Sequence, residues 1–465
     1  MPARHAIHLT FDAGTLVLEH LDAKAPAEHI PPSCLWDDRV GRYRAPAYTY
    51  RDVVTHLTRS SQNGGPALVD QARRYANLSL VHQTQRKAFG HQEQALDRWH
   101  AENRRGVVVL PTGSGKSYVA ELAILSAQRS TLVVAPTLDL MNQWYDVLTT
   151  AFGVEVGLLG GGYHEIRDLT VSTYDSAYLH MDRIGDRFGF LIFDECHHLP
   201  SPTYLTAAEG SIAPFRLGLT ATPDRHDGRE SLLDTRVGPI VYARSIKDLA
   251  GQHLAEYEVV RINVPLNADE SARYAKAREC YIQFLRDHRV PMSSPDGWSR
   301  FLYLTSQSSE GRKAFLAYLE QKRIATASGS KLNVLEGLLR QHARDRALVF
   351  TNDNDTVYLI SRTFLLPALT HQTDLKERRE ILSRFSSGAY PAVVTSKVLN
   401  EGVNLPEANV AVVLSGSGSV REHVQRLGRI LRRQEGKRAT LYEVITENTA
   451  EERTSERRRE HEAYR

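Results

Sequence analysis

The chain has 465 residues, too many for one ordinary core and enough for about three folding units. Its 58 Lys and Arg stand against 55 Asp and Glu, a net charge of +3, so a polyanion has to be held by local patches and not by the field of the whole surface. Cys34, Cys196 and Cys280 are too few and too scattered for a disulfide framework or a zinc site. The N-terminus lacks a signal-peptide core, and no apolar run approaches the ~18 residues that span a bilayer, so a reducing cytoplasm is the expected home.

Residues 7–11 and 15–18 alternate apolar and polar side chains around Asp12-Ala13-Gly14, which predicts a β-hairpin. A helix is expected over 51–57, with Thr49 and Asp52 as a capping box, and residues 60–66 have linker chemistry. From about residue 85 strands alternate with helices: 105–110, 131–135, 188–193 and 216–219 read as strands of a parallel sheet covered on both faces. The rhythm lapses between 243 and 325, where Tyr274, Ala277, Tyr281 and Phe284 have helical spacing and 291–297 is a tight break. It returns with strands at 347–350, 392–395, 410–414 and 440–445. The tail, 451–465, mixes acids and arginines with no apolar stripe, the pattern of a solvated helix or a frayed end. The expected domains are 1–80, a small α+β unit; 81–242, a first α/β domain; 243–325, a helical insert; and 326–465, a second α/β domain.

Pro111-Thr112-Gly113-Ser114-Gly115-Lys116-Ser117 follows the apolar strand 107–110 and opens the helical pattern of 118–125. A glycine-rich loop there turns backbone N–H groups and a helix N-terminus toward a polyphosphate. Lys116 reaches its terminal phosphates and the Ser117 hydroxyl is placed for Mg²⁺. Asp194-Glu195 ends another buried strand, where Asp194 can hold Mg²⁺ and Glu195 can polarise the water that attacks the γ-phosphate. His197 and His198 lack the partners of a metal site and are expected to couple the site to a neighbouring domain. Gln425-Arg426-Leu427-Gly428-Arg429 places Arg429 and Arg432 three residues apart, on one helix face, suited to stabilising a phosphoryl group in transit. Should these arginines serve a nucleotide held by the first α/β domain, hydrolysis depends on domain closure.

With these motifs the chain resembles a superfamily 2 helicase over nearly its whole length. The matching set adds Gln92, Ala135-Pro136-Thr137, Ser172-Thr173-Tyr174, Thr220-Ala221-Thr222, Val349-Phe350-Thr351, Thr395-Ser396 and Glu401-Gly402. Within that superfamily it is similar to the XPB (xeroderma pigmentosum group B) branch in its compact archaeal and bacterial form, on residues 172–178, 213–222 and 415–419 and on Tyr43-Arg44-Ala45 and Tyr50-Arg51-Asp52. The resemblance implies two RecA-like parallel-sheet domains, a small N-terminal α+β domain that senses distorted DNA, a thumb-like helical insert, ATP with Mg²⁺, and 3′→5′ movement on DNA in repair. It implies nucleotide contacts at Gln92, which would read adenine, at residues 111–117 and at Gly402, and catalytic roles for Lys116, Asp194, Glu195, Gln425, Arg429 and Arg432.

The resemblance further implies DNA contacts at Thr137, Thr173, Arg225, Asp227, Thr351 and Thr395, and a nuclease partner. The threonine hydroxyls would grip phosphates without reading bases, although threonine at a strand end serves equally as a helix cap. Arg225-His226-Asp227 stands where the branch has Arg-Glu-Asp, which makes translocation more secure than unwinding. Asn400 and Asn404 replace acids common in the branch, and Phe89 replaces the arginine expected before Gln92, with Arg86 and Lys87 nearby. Arg39, Arg42, Tyr43, Arg44, Tyr48, Tyr50 and Arg51 interleave cations and aromatics; a small core needs such aromatics too, and that reading is preferred over a stacking surface. A duplex translocase that does not separate strands, or a damage-binding scaffold regulating a nuclease, are the alternative activities.

Overall fold

The computed structural model describes residues 6–21, 25–83, 86–223, 228–251, 255–294, 296–396, 408–415 and 438–459. The chain forms two compact units, Met1–Asp248 and Leu249–Arg465.

The first unit opens with the expected hairpin, β1 (Ile7–Asp12) and β2 (Thr15–Glu19), paired antiparallel across Ala13 and Gly14. Both turn residues have positive φ, 44° and 77°, and the second is the glycine that such a turn favours. With β3 (Leu35–Asp37), β4 (Arg42–Pro46) and, after helix α1 (Tyr50–Gln62), β5 (Leu68–Asp70), the sheet order is β3-β4-β2-β1-β5. Tyr50, Val53 and Leu57, three and four residues apart, bury one face of α1 in this core. The helix runs beyond the expected stop and absorbs residues 60–62 of the expected linker. The capping box does not form: the Thr49 hydroxyl donates to the Pro46 carbonyl (2.7 Å), so it closes the preceding turn and leaves the helix end uncapped by its side chain. Tyr43 and Tyr50 are buried in this core, as the structural reading of the aromatic cluster had it.

The α/β part of the first unit comprises α2 (Gly90–Ala101), β6 (Arg105–Val109), α3 (Lys116–Ala127), β7 (Thr131–Ala135), α4 (Leu138–Phe152), β8 (Val156–Gly160), β9 (Tyr163–His164), β10 (Leu169–Thr173), α5 (Tyr174–Ile184), β11 (Phe190–Asp194), α6 (Leu205–Glu209), β12 (Phe215–Thr220), α7 (Ser231–Arg236) and β13 (Ile240–Ala243). The sheet order is β13-β6-β12-β11-β7-β10-β8-β9, parallel except for β9. β7, β10, β11 and β12 are buried along their whole length, as central parallel strands must be. Because β12 alone separates β6 from β11, the loops leaving those two strands open on the same carboxyl edge, one strand apart.

A one-turn helix, α8 (Ile246–Leu249), spans the boundary between the units. The second unit continues with β14 (Glu256–Val264), α9 (Ala268–Asp287), α10 (Gly297–Ser306), α11 (Ser309–Ala327), α12 (Gly329–Gln341), β15 (Ala347–Phe350), α13 (Asn354–Phe364), β16 (Ala368–Leu369), α14 (Leu375–Ser386), β17 (Ala392–Thr395), β18 (Val410–Val413), β19 (Arg438–Thr446) and α15 (Ala450–Arg459). Its sheet is all parallel, in the order β14-β19-β18-β15-β17-β16. β14 lies inside the span expected to be helical insert, yet it pairs with β19 from Glu256↔Arg438 to Val264↔Thr446. Its charges, Glu256, Glu258 and Arg261, suit a sheet edge and hide it from an apolar-pattern search. The helices of the insert are therefore α9 to α11. The tail also departs from expectation, since Glu451 and Ser455 of α15 are buried.

Candidate nucleotide and nucleic-acid site

The phosphate loop joins β6 to α3. Gly113 and Gly115 lie at φ 88° and 85°, backbone that glycine adopts without strain, and a Cβ on Gly115 would stand 2.3 Å from Gln92 Nε2. Ser114 closes the turn by donating to the Pro111 carbonyl (2.8 Å). Lys116 is buried and its Nζ donates to the Leu110 carbonyl (3.2 Å), while Ser117 follows it in the first turn of α3. The Thr112 hydroxyl is buried in the loop with no hydrogen-bond partner among the described residues.

Asp194 and Glu195 face this loop. Asp194 Oδ2 accepts from the Trp144 indole N–H (2.8 Å) and Oδ1 from the Glu195 N–H (3.1 Å), while the Tyr174 hydroxyl donates to the Asp194 carbonyl (3.0 Å). Burial, and then the neighbouring Glu195 charge, push the Asp194 carboxyl up to about 6. Glu195 adopts left-handed backbone (φ 46°, ψ 53°), a strained conformation for a residue with a Cβ, and this turns its side chain toward Lys116. Oε1 lies 3.9 Å from Lys116 Nζ and Oε2 3.4 Å from His197 Nδ1; Oε2 is buried without a hydrogen bond among the described residues.

His197 couples Glu195 to its own unit. Its Nδ1 lies 3.0 Å from Thr220 Oγ1, and that hydroxyl already donates to the Thr222 carbonyl (3.0 Å), so Nδ1 carries the hydrogen and donates. Through His197, Glu195 is thereby tied to Thr220 at the end of β12. Among the described residues no three His, Cys, Asp or Glu side chains cluster to hold a metal by themselves.

Gln92 packs against the phosphate loop. Its amide is buried and engaged, with Oε1 accepting from the Phe89 N–H (2.9 Å) and Nε2 donating to the Ser114 carbonyl (3.1 Å). His91, which sequence reasoning missed, hydrogen-bonds the same carbonyl through Nε2 (2.9 Å), so the first turn of α2 braces the phosphate loop. Arg86, close to the position that Phe89 takes, lays its guanidinium over the Tyr118 ring, 4.5 Å from the centroid.

The four threonines expected to grip phosphates all spend their hydroxyls locally. Thr137 caps α4 by accepting from the Leu140 N–H (3.3 Å) and Thr173 caps α5 by accepting from the Ser176 N–H (3.2 Å). Thr351 donates to the Asp353 carbonyl (3.0 Å) and Thr395 to the Ser396 carbonyl (3.2 Å), and both are fully buried. A capping hydroxyl such as that of Thr137 accepts through a lone pair, so its O–H, like the backbone N–H groups of these turns, can still donate to an anion. Arg225, Asp227, Gly402, Gln425, Arg429 and Arg432 lie outside the described residues.

Three family descriptions match along the chain: the xeroderma pigmentosum group B helicase damage recognition domain at 9–63, the type III restriction enzyme res subunit at 85–225, and the helicase conserved C-terminal domain at 330–434. The protein named DNA 3'-5' translocase XPB2 of Sulfurisphaera tokodaii is 39% identical over 92% of this chain and 96% of its own length. The proteins named DNA 3'-5' helicase XPB of Kineococcus radiotolerans and Mycobacterium tuberculosis are 32% and 30% identical over 78% and 79% of this chain, which spans 60% and 62% of their length. Among solved structures, the Pyrococcus furiosus Hef helicase domain superposes with a TM-score of 0.53 at 16% identity, over 78% of this chain and 97% of that one, a likeness of fold. The chain belongs to the XPB family of superfamily 2 helicases.

Proposed function

We propose that this protein is an ATP-dependent DNA translocase and helicase that moves 3′→5′ and acts in DNA repair. One observation carries the proposal: a buried lysine, Lys116, at the phosphate loop faces a strained glutamate, Glu195, across 3.9 Å, leaving a carboxylate oxygen without a hydrogen bond among the described residues. Lys116 and the loop backbone would bind the terminal phosphates of ATP, and Glu195 would orient the attacking water and accept its proton. Phosphoryl transfer needs little else from the protein than such positioning and charge.

Mg²⁺ fits the donor set, since the Ser117 hydroxyl and the Asp194 carboxylate are the oxygens a hard cation takes and Asp194 is the buried charge that needs one. Bound there it would neutralise charge on the phosphates. Gln92 would brace the loop and reach adenine only by exchanging its present bonds. Gln425, Arg429, Arg432 and Gly402 would complete the nucleotide contacts. Backbone N–H groups at Thr137, Thr173, Thr351 and Thr395, with Arg225 and Asp227, would hold DNA in a sequence-tolerant, salt-sensitive way. The match of residues 9–63 to a damage recognition domain supports a preference for distorted DNA, and a nuclease is the proposed partner.

ATP turnover with and without DNA tests this. Lys116→Ala and Glu195→Gln should each abolish the DNA-stimulated rate, and undiminished rates in both would remove the proposal. Displacement from 3′- and 5′-tailed duplexes then separates unwinding from translocation and reads its polarity.

A further inference from the structure

Lys331, in the first turn of α12, is fully buried. A lysine ammonium has three N–H donors and is costly to bury unless all are used. Here Nζ has three acceptors on three elements: the Ala325 carbonyl in the last turn of α11 (3.3 Å), the Leu414 carbonyl just past β18, and Glu451 Oε2 in the first turn of α15 (2.5 Å). The same atoms are tied again. Glu451 Oε2 accepts from the Thr446 N–H (3.1 Å), and the Thr446 hydroxyl donates to the Ala325 carbonyl (2.7 Å).

The other end of the insert is held as well. Glu270, in the first turn of α9, accepts from the Gly329 N–H (2.7 Å) and the Ser330 hydroxyl (3.0 Å), and the Tyr274 hydroxyl accepts from the Ala450 N–H (3.0 Å). Both chain crossings between sheet and insert, 264–270 and 325–331, therefore meet at one buried node. That node sits on the carboxyl edge of a parallel sheet, the edge where β15 and β17 deliver Thr351 and Thr395. The Ser415 hydroxyl, next to Leu414, accepts from the Asn352 N–H (2.9 Å), so the edge is continuous from the node to the turn after β15.

We propose that Lys331 is a positioning residue for the motor reaction: its bonds to Ala325 and Leu414 fix the root of the helical insert to the carboxyl edge of the second sheet, so that insert and sheet turn as one body when ATP drives movement along DNA. This rests on the function proposed above. Glu451 neutralises the ammonium, whereas the two carbonyl bonds set the geometry. A role in stability alone makes a different prediction, because a buried ion pair replaced on both sides by apolar residues of similar size commonly regains stability.

The test measures triplex displacement along duplex DNA per ATP hydrolysed, alongside thermal melting, for Lys331→Met, Glu451→Gln and the double variant Lys331→Met/Glu451→Met. The expected result is that Lys331→Met melts early and loses about tenfold or more in displacement per ATP, as misplacement remote from the chemistry can do. The double variant regains melting temperature but not displacement per ATP, and Glu451→Gln, which keeps both carbonyl bonds, stays near wild type in that ratio. Recovery of displacement per ATP in the double variant, or an unchanged ratio in Lys331→Met, overturns the proposal. If Lys331→Met does not fold, the double variant and Glu451→Gln give the same decision. A wild-type chain without ATP turnover would instead sink the function itself, which Lys116→Ala reads separately.

Discussion

Two lysine and glutamate pairs, one in each unit, are built in opposite ways. Lys116 and Glu195 stand 3.9 Å apart, with a left-handed backbone at Glu195 and an oxygen that makes no hydrogen bond among the described residues. Lys331 and Glu451 stand 2.5 Å apart, and the ammonium has three acceptors. A loose pair retains donor and acceptor capacity that a phosphate and a water can use. An ammonium with three acceptors already in place instead holds its neighbours still.

Four substitutions would break or sharpen this contrast. The largest effect is expected at the loose pair, where Glu195→Gln should slow ATP hydrolysis by about 10²–10⁴-fold, the range for a positioned general base, while equilibrium nucleotide binding persists. At the saturated pair Lys331→Met should cost about 3–5 kcal/mol in denaturant unfolding of the second unit, because Glu451 is left buried without its cation.

Asp194→Asn inverts the usual direction of an active-site substitution. The Asp194 carboxyl is raised above its unfolded value to about 6, so its charged form destabilises the folded state above that pH, and the penalty fades as pH falls through 6 toward 4. The asparagine variant should be inactive yet about 1–3 kcal/mol more stable than wild type at pH 7.5 without Mg²⁺, with the gap about halved at pH 5 and closed near pH 4 in thermal melts. The smallest effect belongs to Thr173→Val. Loss of its cap should cost about 1 kcal/mol of stability, and DNA affinity measured by anisotropy should stay within about threefold. A large loss of affinity with unchanged melting would return the hydroxyl to the role of a phosphate grip.

The phosphate loop and Asp194-Glu195 were legible in the sequence because each is a short run whose spacing alone puts its atoms together, and the strands before them are unbroken apolar runs. The positions of Thr137, Thr173, Thr351 and Thr395 at strand ends were equally legible. What their hydroxyls do was not, since a cap and a phosphate contact ask for the same residue at the same place. Trp144 could be read only as part of an apolar stripe with Met141 and Leu148, and nothing local announces that its N–H serves a carboxylate fifty residues away. Lys331 was beyond reach for the same reason, its partners lying 83 and 120 residues along the chain. β14 escaped because an edge strand carries charges that erase the apolar pattern.

Ile212, from the loop before β12, is buried in one core with Ile7, Leu9 and Leu18 of the N-terminal sheet and Tyr50 of α1, and Arg74 forms a two-bond ion pair with Asp186. A Cβ on Gly185 would stand 2.0 Å from the Gly210 carbonyl, so the backbone supporting Ile212 tolerates no spacer there. Cutting the gene at residue 80 would accordingly strip a greasy plug of its socket and yield an ATPase fragment prone to clumping. The N-terminal sheet and the α/β sheet behind it thus share one core and would be expressed as one piece that starts ahead of β1.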